Sequence, residues 1–148
     1  MINFTHYTIL LVEDDPNDVF LIQRAFRKAN LANPIQVMND GEAAVQYLSG
    51  QEPYADRDRY PLPILMLLDL KLPRRSGLEV LEWLKQQPKL KRLPVVVLTS
   101  SREHIDLNRA YDLGANSYLV KPVAFDSLLN MVQTLNQYWL IINESPNL

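Results

Sequence analysis

Five short runs of apolar residues limit the folds open to this chain more than any other feature of its sequence. The runs lie near residues 8–12, 35–38, 64–68, 95–98 and 117–120, and stretches of helical period separate them. Continuous apolar runs of this length are typical of parallel strands that helices cover on both faces. The stretches between them predict helices over residues 17–29, 42–48, 77–86, 103–113 and 124–142. The pattern therefore predicts a doubly wound α/β fold with three layers.

Five strand–helix units use nearly the whole chain, so we expect one domain over residues 1–148. Several local signals support the helix boundaries. Asp15 before Pro16 predicts an N-cap with proline at the first helical position, and Ser100 with Glu103 has the spacing of a capping box. Gly114 is typical of the residue that follows a helix end.

The composition excludes several classes of function. A net charge of −2 and a pI near 5.6 argue against nucleic acid or a membrane surface as a partner. The chain has no cysteine and two histidines, which excludes disulfides, thiol catalysis and Cys-based zinc sites. We find no signal peptide and no apolar run near the ~20 residues that span a bilayer, so we expect a cytoplasmic protein.

Four of the predicted strands are followed by side chains that suit phosphate chemistry. Glu13 and Asp14 follow the first strand, Asp69 the third, Thr99 the fourth and Lys121 the fifth. The carboxyl ends of parallel strands meet at one edge of a sheet, where open α/β proteins place their sites. Three carboxylates, a hydroxyl and an ammonium group at one edge suit transfer of a phosphoryl group onto a carboxylate.

The spacing of the acidic residues indicates the order of the strands. Between Asp14 and Asp69 the chain has room for two strand–helix steps, so one strand must lie between them in sequence. In the flavodoxin-like order 2-1-3-4-5, that strand lies at the edge and the first and third strands are neighbours. Asp14 and Asp69 then face each other across the crevice.

Such a cluster of carboxylates needs a cation. Two carboxylates about 4 Å apart repel by roughly 4 kcal/mol at an effective dielectric constant of 20, and one lysine cannot neutralise three of them. Mg²⁺ prefers oxygen ligands of this kind, which predicts Glu13, Asp14 and Asp69 as its ligands. Asp69 is then the nucleophile, with Lys121 and Thr99 contacting the phosphoryl oxygens.

Structural alternatives exist for single residues. Capping of the first helix is favoured over metal binding for Asp15. Thr99 heads a run of three hydroxyl residues, any of which could cap the next helix, and Lys121 alone could be a solvated lysine. The joint occurrence of polar residues at four strand ends is what favours a site.

The chain resembles a known family, the CheY-like receiver domains of two-component response regulators. The likeness extends from about residue 8 to 131 and leaves about 132–148 as an extension of the C-terminal helix. It is carried by residues 10–16 (LLVEDDP), 68–77 (LDLKLPRRSG), 96–100 (VVLTS) and 114–122 (GANSYLVKP).

The resemblance implies that Asp69 accepts a phosphoryl group from a histidine kinase. It also implies that Glu13, Asp14, Asp69 and the main-chain carbonyl of Lys71 bind Mg²⁺. Such a protein is not an enzyme in its own right. With no room for an output domain in 148 residues, it signals through protein contacts at the face formed by the fourth helix, fifth strand and fifth helix.

The resemblance further implies that Thr99 and Tyr118 form a switch pair, with Lys121 and Pro122 completing the recognition of the phosphoryl group. The Lys121–Pro122 bond is commonly cis in the family. The residues of these motifs resemble those of the standalone response regulators that are paired with cyanobacterial and bacterial phytochrome kinases. A phytochrome is therefore an expected kinase partner.

Two segments exceed a minimal receiver. Residues 50–63 form a long connection, which predicts either a functional loop or a plain solvated one. The last helix carries an apolar stripe at helical spacing, and its second half is apolar on all sides. We expect a homodimer or partner surface there, formed by Tyr118, Leu135, Tyr138 and Trp139. The alternative is that this half of the helix packs on its own domain.

Other functions fit less well. A phosphatase of the haloacid dehalogenase type needs a second acid two residues after the aspartate, where this chain has Lys71. A nucleotide-binding module needs a glycine-rich loop, and the four glycines are scattered. The remaining alternative is a receiver-like interaction module that is not phosphorylated.

Overall fold

The computed structural model describes residues 7–148 of the chain. It contains five strands and five α-helices in strict alternation. The strands are β1 Ile9–Val12, β2 Ile35–Met38, β3 Leu65–Leu68, β4 Val95–Thr99 and β5 Ser117–Val120. The helices are α1 Pro16–Lys28, α2 Gly41–Ser49, α3 Gly77–Lys85, α4 His104–Asp112 and α5 Phe125–Leu135.

All five strands are parallel and form one sheet in the order β2-β1-β3-β4-β5, as predicted. Alternate residues of each strand point to opposite faces, so each face has its own core. On one face, Leu10 and Met66 lie in a cluster with residues of α2, α3 and α4. On the other face, Ile9 and Leu65 lie with residues of α1 and α5. The three-layer prediction is confirmed.

The helix boundaries confirm two local signals and contradict a third. The side chain of Asp15 accepts a hydrogen bond from the backbone N–H of Asn17 at 2.9 Å and caps α1. Gly114 follows α4 with φ of +97°, in the left-handed region that glycine adopts without strain. The capping box of Ser100 with Glu103 is wrong, because Glu103 itself is at the N-cap position of α4 and makes no side-chain cap.

The C-terminal helix is present but does not continue regularly to residue 142. Helix α5 ends at Leu135, and residues Asn136–Ile142 form a π-helix. The backbone N–H of Asn143 donates to the carbonyl of Tyr138 at 2.7 Å, which is the i to i+5 bond of this wider turn. The wider turn shifts the predicted stripe, so that Leu140 is buried and Ile142 is exposed.

The long connection between α2 and β3 is held by its own contacts. Arg57 donates hydrogen bonds to the backbone carbonyls of Tyr47, Leu48 and Tyr60, at 2.8, 2.8 and 3.2 Å. The rings of Tyr47, Tyr54 and Tyr60 contact one another with centroids 5.2 to 6.1 Å apart. Arg57 thereby joins the last carbonyls of α2 to the connection, and the carbonyl of Tyr47 also accepts from the backbone N–H of Gly50 at 3.2 Å.

Candidate functional site

The carboxyl ends of β1 and β3 bring the predicted acidic residues together. These strands pair in register, with Val12 opposite Leu68, and the backbone N–H of Asp69 donates to the carbonyl of Val12 at 3.0 Å. Glu13 and Asp69 are buried, whereas Asp14 is exposed. Carboxylate oxygens of these three residues lie within 4.8 Å of one another.

Lys121, which follows β5, reaches across the same edge of the sheet. Its Nζ lies 2.8 Å from Oδ2 of Asp69 and 2.8 Å from Oδ2 of Asp18, and it also contacts Oε1 of Glu13. The backbone N–H of Lys121 donates to the carbonyl of Thr99 at 2.8 Å, which fixes the start of this side chain beside β4. One ammonium group therefore contacts three carboxylates.

Thr99 and Tyr118 lie on the β4 and β5 side of the site. Thr99 is fully buried at the end of β4, and its hydroxyl helps to lower the pKa of the Asp69 carboxyl group. The same Oγ1 accepts a hydrogen bond from the backbone N–H of Ser101 at 3.4 Å. Tyr118 is half-buried, and its hydroxyl donates to the carbonyl of Ser101 at 3.0 Å. Ser101 is thus bonded to both residues of the predicted switch pair.

The electrostatics of the site divide the charge unequally between Glu13 and Asp69. Burial raises the pKa of Glu13 from 4.5 to about 7, despite its hydrogen bond with Lys121. Burial alone would also raise the pKa of Asp69, but hydrogen bonds from Lys121 and Thr99 outweigh it and lower that pKa. Near neutral pH, Asp69 is therefore ionised, as a nucleophile must be. Glu13 is protonated in part of the molecules.

The charge of Lys121 is secured by the same contacts. Burial alone would lower its pKa, but its hydrogen bonds with Asp18, Asp69 and Glu13 raise it. With Asp14 nearby, four carboxylates surround this single cation. The excess of negative charge and the oxygen-only donor set fit a divalent cation of the Mg²⁺ or Mn²⁺ type.

Sequence reasoning missed two acidic residues near the site. Asp18 lies in the first turn of α1, which begins two residues after Asp14, and this position at the helix start could have indicated that its side chain lies near the same edge. Asp106 is buried in the first turn of α4, where its Oδ2 accepts a hydrogen bond from the hydroxyl of Ser101 at 2.6 Å. That hydrogen bond, aided by Lys71, lowers the pKa of Asp106 against the effect of burial.

Two predictions about Lys71 and Pro122 have different outcomes. The Nζ of Lys71 lies 3.4 Å from Oδ2 of Asp106, so this side chain has a partner although it is largely exposed. Metal binding by the main-chain carbonyl of Lys71 stays a prediction. The Lys121–Pro122 bond is trans, because within residues 7–148 the cis peptide joins Glu52 to Pro53. The expected cis bond is therefore wrong, and trans is the more stable isomer even before proline.

The predicted partner surface is divided between two sides of β5. Leu135, Tyr138 and Trp139 line a groove of about 300 Å³ together with β5 residues Ser117 and Leu119. Tyr118 alternates with those strand residues and instead contacts Ser101 on the side of α4. No helix in the described part of the chain is both long and apolar enough to cross a membrane.

The fold and the acidic edge define a class of protein. A profile of the response regulator receiver domain matches residues 9–133, so the chain belongs to that family. It is a receiver of a two-component phosphorelay, and the alternative of an interaction module that is not phosphorylated is not favoured. Receivers of this family are generally signalling proteins rather than enzymes.

Two curated relatives are similar over nearly the full chain. The first is the probable methanogenesis regulatory protein FilR2 of Methanothrix harundinacea, which is 43% identical over 140 residues, or 95% of this chain and 88% of the relative. The second is the response regulator Rcp1 of Synechocystis, which is 42% identical over 132 residues, or 89% of this chain and 88% of the relative.

Two solved structures share the whole architecture. The phosphorylated cyanobacterial phytochrome response regulator RcpA has a TM-score of 0.89 and 37% identity, covering 96% of this chain and 99% of that one. The Mn²⁺-bound form of Rcp1 has a TM-score of 0.85 and 40% identity, covering 95% and 99% of the two chains. The likeness therefore includes the C-terminal region beyond the receiver core.

Proposed function

We propose that Asp69 is the phosphoryl acceptor and that Glu13, Asp14 and Asp69 bind Mg²⁺ beside it. One observation carries this proposal. The buried Asp69 carboxylate accepts a hydrogen bond from Lys121 at 2.8 Å at the acidic edge of the sheet, and its pKa is lowered although burial alone would raise it. A buried carboxylate that stays ionised can attack phosphorus. Lys121 and Thr99 lie where they can then stabilise the negative charge of the phosphoryl oxygens.

The roles of the side chains follow from the chemistry of phosphoryl transfer. A carboxylate oxygen of Asp69 forms a bond to phosphorus while the bond from phosphorus to the donor nitrogen of a phosphohistidine breaks. The departing imidazole takes up a proton from water. Lys121 neutralises charge on the phosphoryl oxygens, and Thr99 donates a hydrogen bond to one of them. Glu13, Asp14 and Asp69 would hold Mg²⁺, which would supply further charge neutralisation for the transfer.

The test is the intact mass of the protein after incubation with a small acyl-phosphate donor and Mg²⁺. We expect one added phosphoryl group on the native protein and none on Asp69→Asn or in the presence of a chelator. Asp15→Asn is the matched control, because Asp15 is exposed and asparagine also caps helices, so it should gain the group. Modification of Asp69→Asn to the native extent would disprove the assignment.

A phytochrome-type histidine kinase is the proposed donor in the cell. The similarity to RcpA over nearly the full length of both chains supports this partner. In competition, the phosphoryl group should pass to this protein faster from an autophosphorylated phytochrome kinase than from an unrelated histidine kinase. Equal rates from both kinases would contradict the pairing.

A second copy of this chain is the proposed occupant of the groove beside the π-helix. The groove runs along the edge strand β5, and no charged residue among residues 7–148 lines it. Tyr138 is 52% exposed at its rim. Light scattering should show a dimer that Tyr138→Arg dissociates and that Phe20→Arg, which alters an equally exposed aromatic on α1, does not. A monomeric native protein would refute this proposal.

A further inference from the structure

A second polar cluster joins the acceptor loop to helix α4. We call it the α4 latch, and its members are Lys71, Ser101 and Asp106. Oδ2 of Asp106 lies 3.4 Å from Nζ of Lys71 and accepts a hydrogen bond from Oγ of Ser101 at 2.6 Å. Lys71 belongs to the loop after β3, and Ser101 to the loop after β4. The latch therefore links three separate segments of the chain.

The latch continues into the acceptor site at both ends. The backbone N–H of Lys71 lies 3.4 Å from Oδ1 of Asp69. The backbone N–H of Ser101 donates to Oγ1 of Thr99 at 3.4 Å, and its carbonyl accepts from the hydroxyl of Tyr118 at 3.0 Å. One side of the latch thus contacts the acceptor, and the other contacts both residues of the predicted switch pair.

Stability alone does not account for the Lys71–Asp106 contact. The Lys71 side chain is 69% exposed, and an ion pair with one exposed partner contributes little to folding. The Asp106 carboxylate is buried, however, and a buried charge needs its partners to stay in place. If Lys71 moves away, Asp106 keeps only the Ser101 hydroxyl, and the position of the loop after β4 becomes less favourable.

We propose that Asp106 is a positioning residue that holds the unphosphorylated conformation, and that phosphorylation of Asp69 releases the latch by drawing Lys71 away from Asp106. This inference rests on Asp69 being the acceptor. A phosphoryl group adds negative charge two residues before Lys71 and competes for the same ammonium group. The released loop frees the Ser101 carbonyl from Tyr118, which couples the acceptor to α4 and β5.

Amide hydrogen exchange over residues 100–106 tests the latch. In the unphosphorylated protein, Asp106→Asn should exchange about fivefold faster or more in this segment, a change that corresponds to an ordinary coupling energy. Lys71→Met should have a similar effect. The double variant should add little to either single variant, because each substitution removes the same Lys71–Asp106 ion pair. Asp112→Asn, at the exposed other end of α4, should exchange like the native protein.

The native protein should show the same acceleration after reaction with the acyl-phosphate donor, with its mass measured on the same sample. Faster exchange in the phosphorylated protein and in both latch variants would support the inference. Native-like exchange in either variant would overturn it, as would unchanged exchange in protein that carries the added mass. The absence of added mass would instead be a failure of Asp69 as acceptor. Lys71→Met alters an exposed side chain, so this arm remains informative if Asp106→Asn does not fold.

Discussion

In the presence of a chelator, the stability of this protein should fall as the pH rises from about 5 to about 8, and Glu13 is the cause. Burial raises the pKa of Glu13 from 4.5 to about 7 in the folded protein. The unfolded chain loses this proton near its ordinary pKa, whereas the folded protein keeps it until about neutrality. The folded state therefore binds more protons in this window, and raising the pH favours unfolding.

The size of the effect follows from the same pKa. At 1.36 kcal/mol for each pKa unit, a rise from 4.5 to about 7 corresponds to about 3 kcal/mol of stability that is complete below the lower value and lost above the upper one. The lowered pKa of Asp69 acts only at more acidic pH, and the raised pKa of Lys121 only at more alkaline pH. Neither contributes to the slope in this window.

Urea unfolding at several pH values, with chelator present throughout, measures the slope. Glu13→Gln should show a much flatter profile than the native protein, because glutamine carries no proton that the fold must release. All other titratable groups are common to both proteins and cancel in the comparison. Glu79→Gln, at an exposed position of α3, should keep the native slope.

Parallel profiles for the native protein and Glu13→Gln would refute the reasoning, since Glu13 would then release its proton equally easily in both states. A further arm adds Mg²⁺ at about pH 8. A cation that binds the ionised carboxylates replaces the proton, and at 100 times its dissociation constant it should restore about 2.7 kcal/mol. No gain in stability on adding Mg²⁺ would count against the proposed metal site.

Three further changes have outcomes that the geometry predicts. Lys121→Met removes the cation shared by three buried or half-buried carboxylates and should lower stability in chelator by about 3 kcal/mol, part of which Mg²⁺ restores in urea unfolding. Arg57→Ala removes hydrogen bonds to three backbone carbonyls and should cost about 2 kcal/mol while phosphorylation stays native; an equal loss in Arg59→Ala would contradict this prediction. Gly77→Ala places a Cβ against the backbone of Asp69, so the rate of mass gain with acyl phosphate should drop, and a native rate would refute the packing argument.

The strands were predictable because their signal is local. Every residue of β1, β3 and β4 is buried, and the edge strands β2 and β5 are mostly half-buried. All five strands lie within one residue of their predicted ends. The irregular end of the last helix was not predictable in this way. Its residues are apolar on all sides, and the choice between an α-turn and a π-turn depends on which side chain packs against the sheet, as Leu140 does.

The sequence identifies the main residues of the site because each of them lies at or just after the end of a strand, and the strand order requires those strand ends to meet. These residues are Glu13, Asp14, Asp69, Thr99 and Lys121. The partners of these residues were not identifiable. Asp18 and Lys121 are 103 residues apart, and their contact depends on where α1 lies over the sheet. The role of Asp106 depends on its contacts with Lys71 and Ser101, and these two residues belong to different loops.

The sequence by itself determined the layered sheet, its strand order and the chemical set at one edge, because short-range pattern and connection length decide these. Only the tertiary structure decided how that set shares its charge. Protonation of Glu13, ionisation of Asp69 and the attachment of Lys71 to Asp106 depend on burial and on distances of a few ångströms between remote segments. Electrostatic interactions change steeply over such distances, and no pattern along the chain records them.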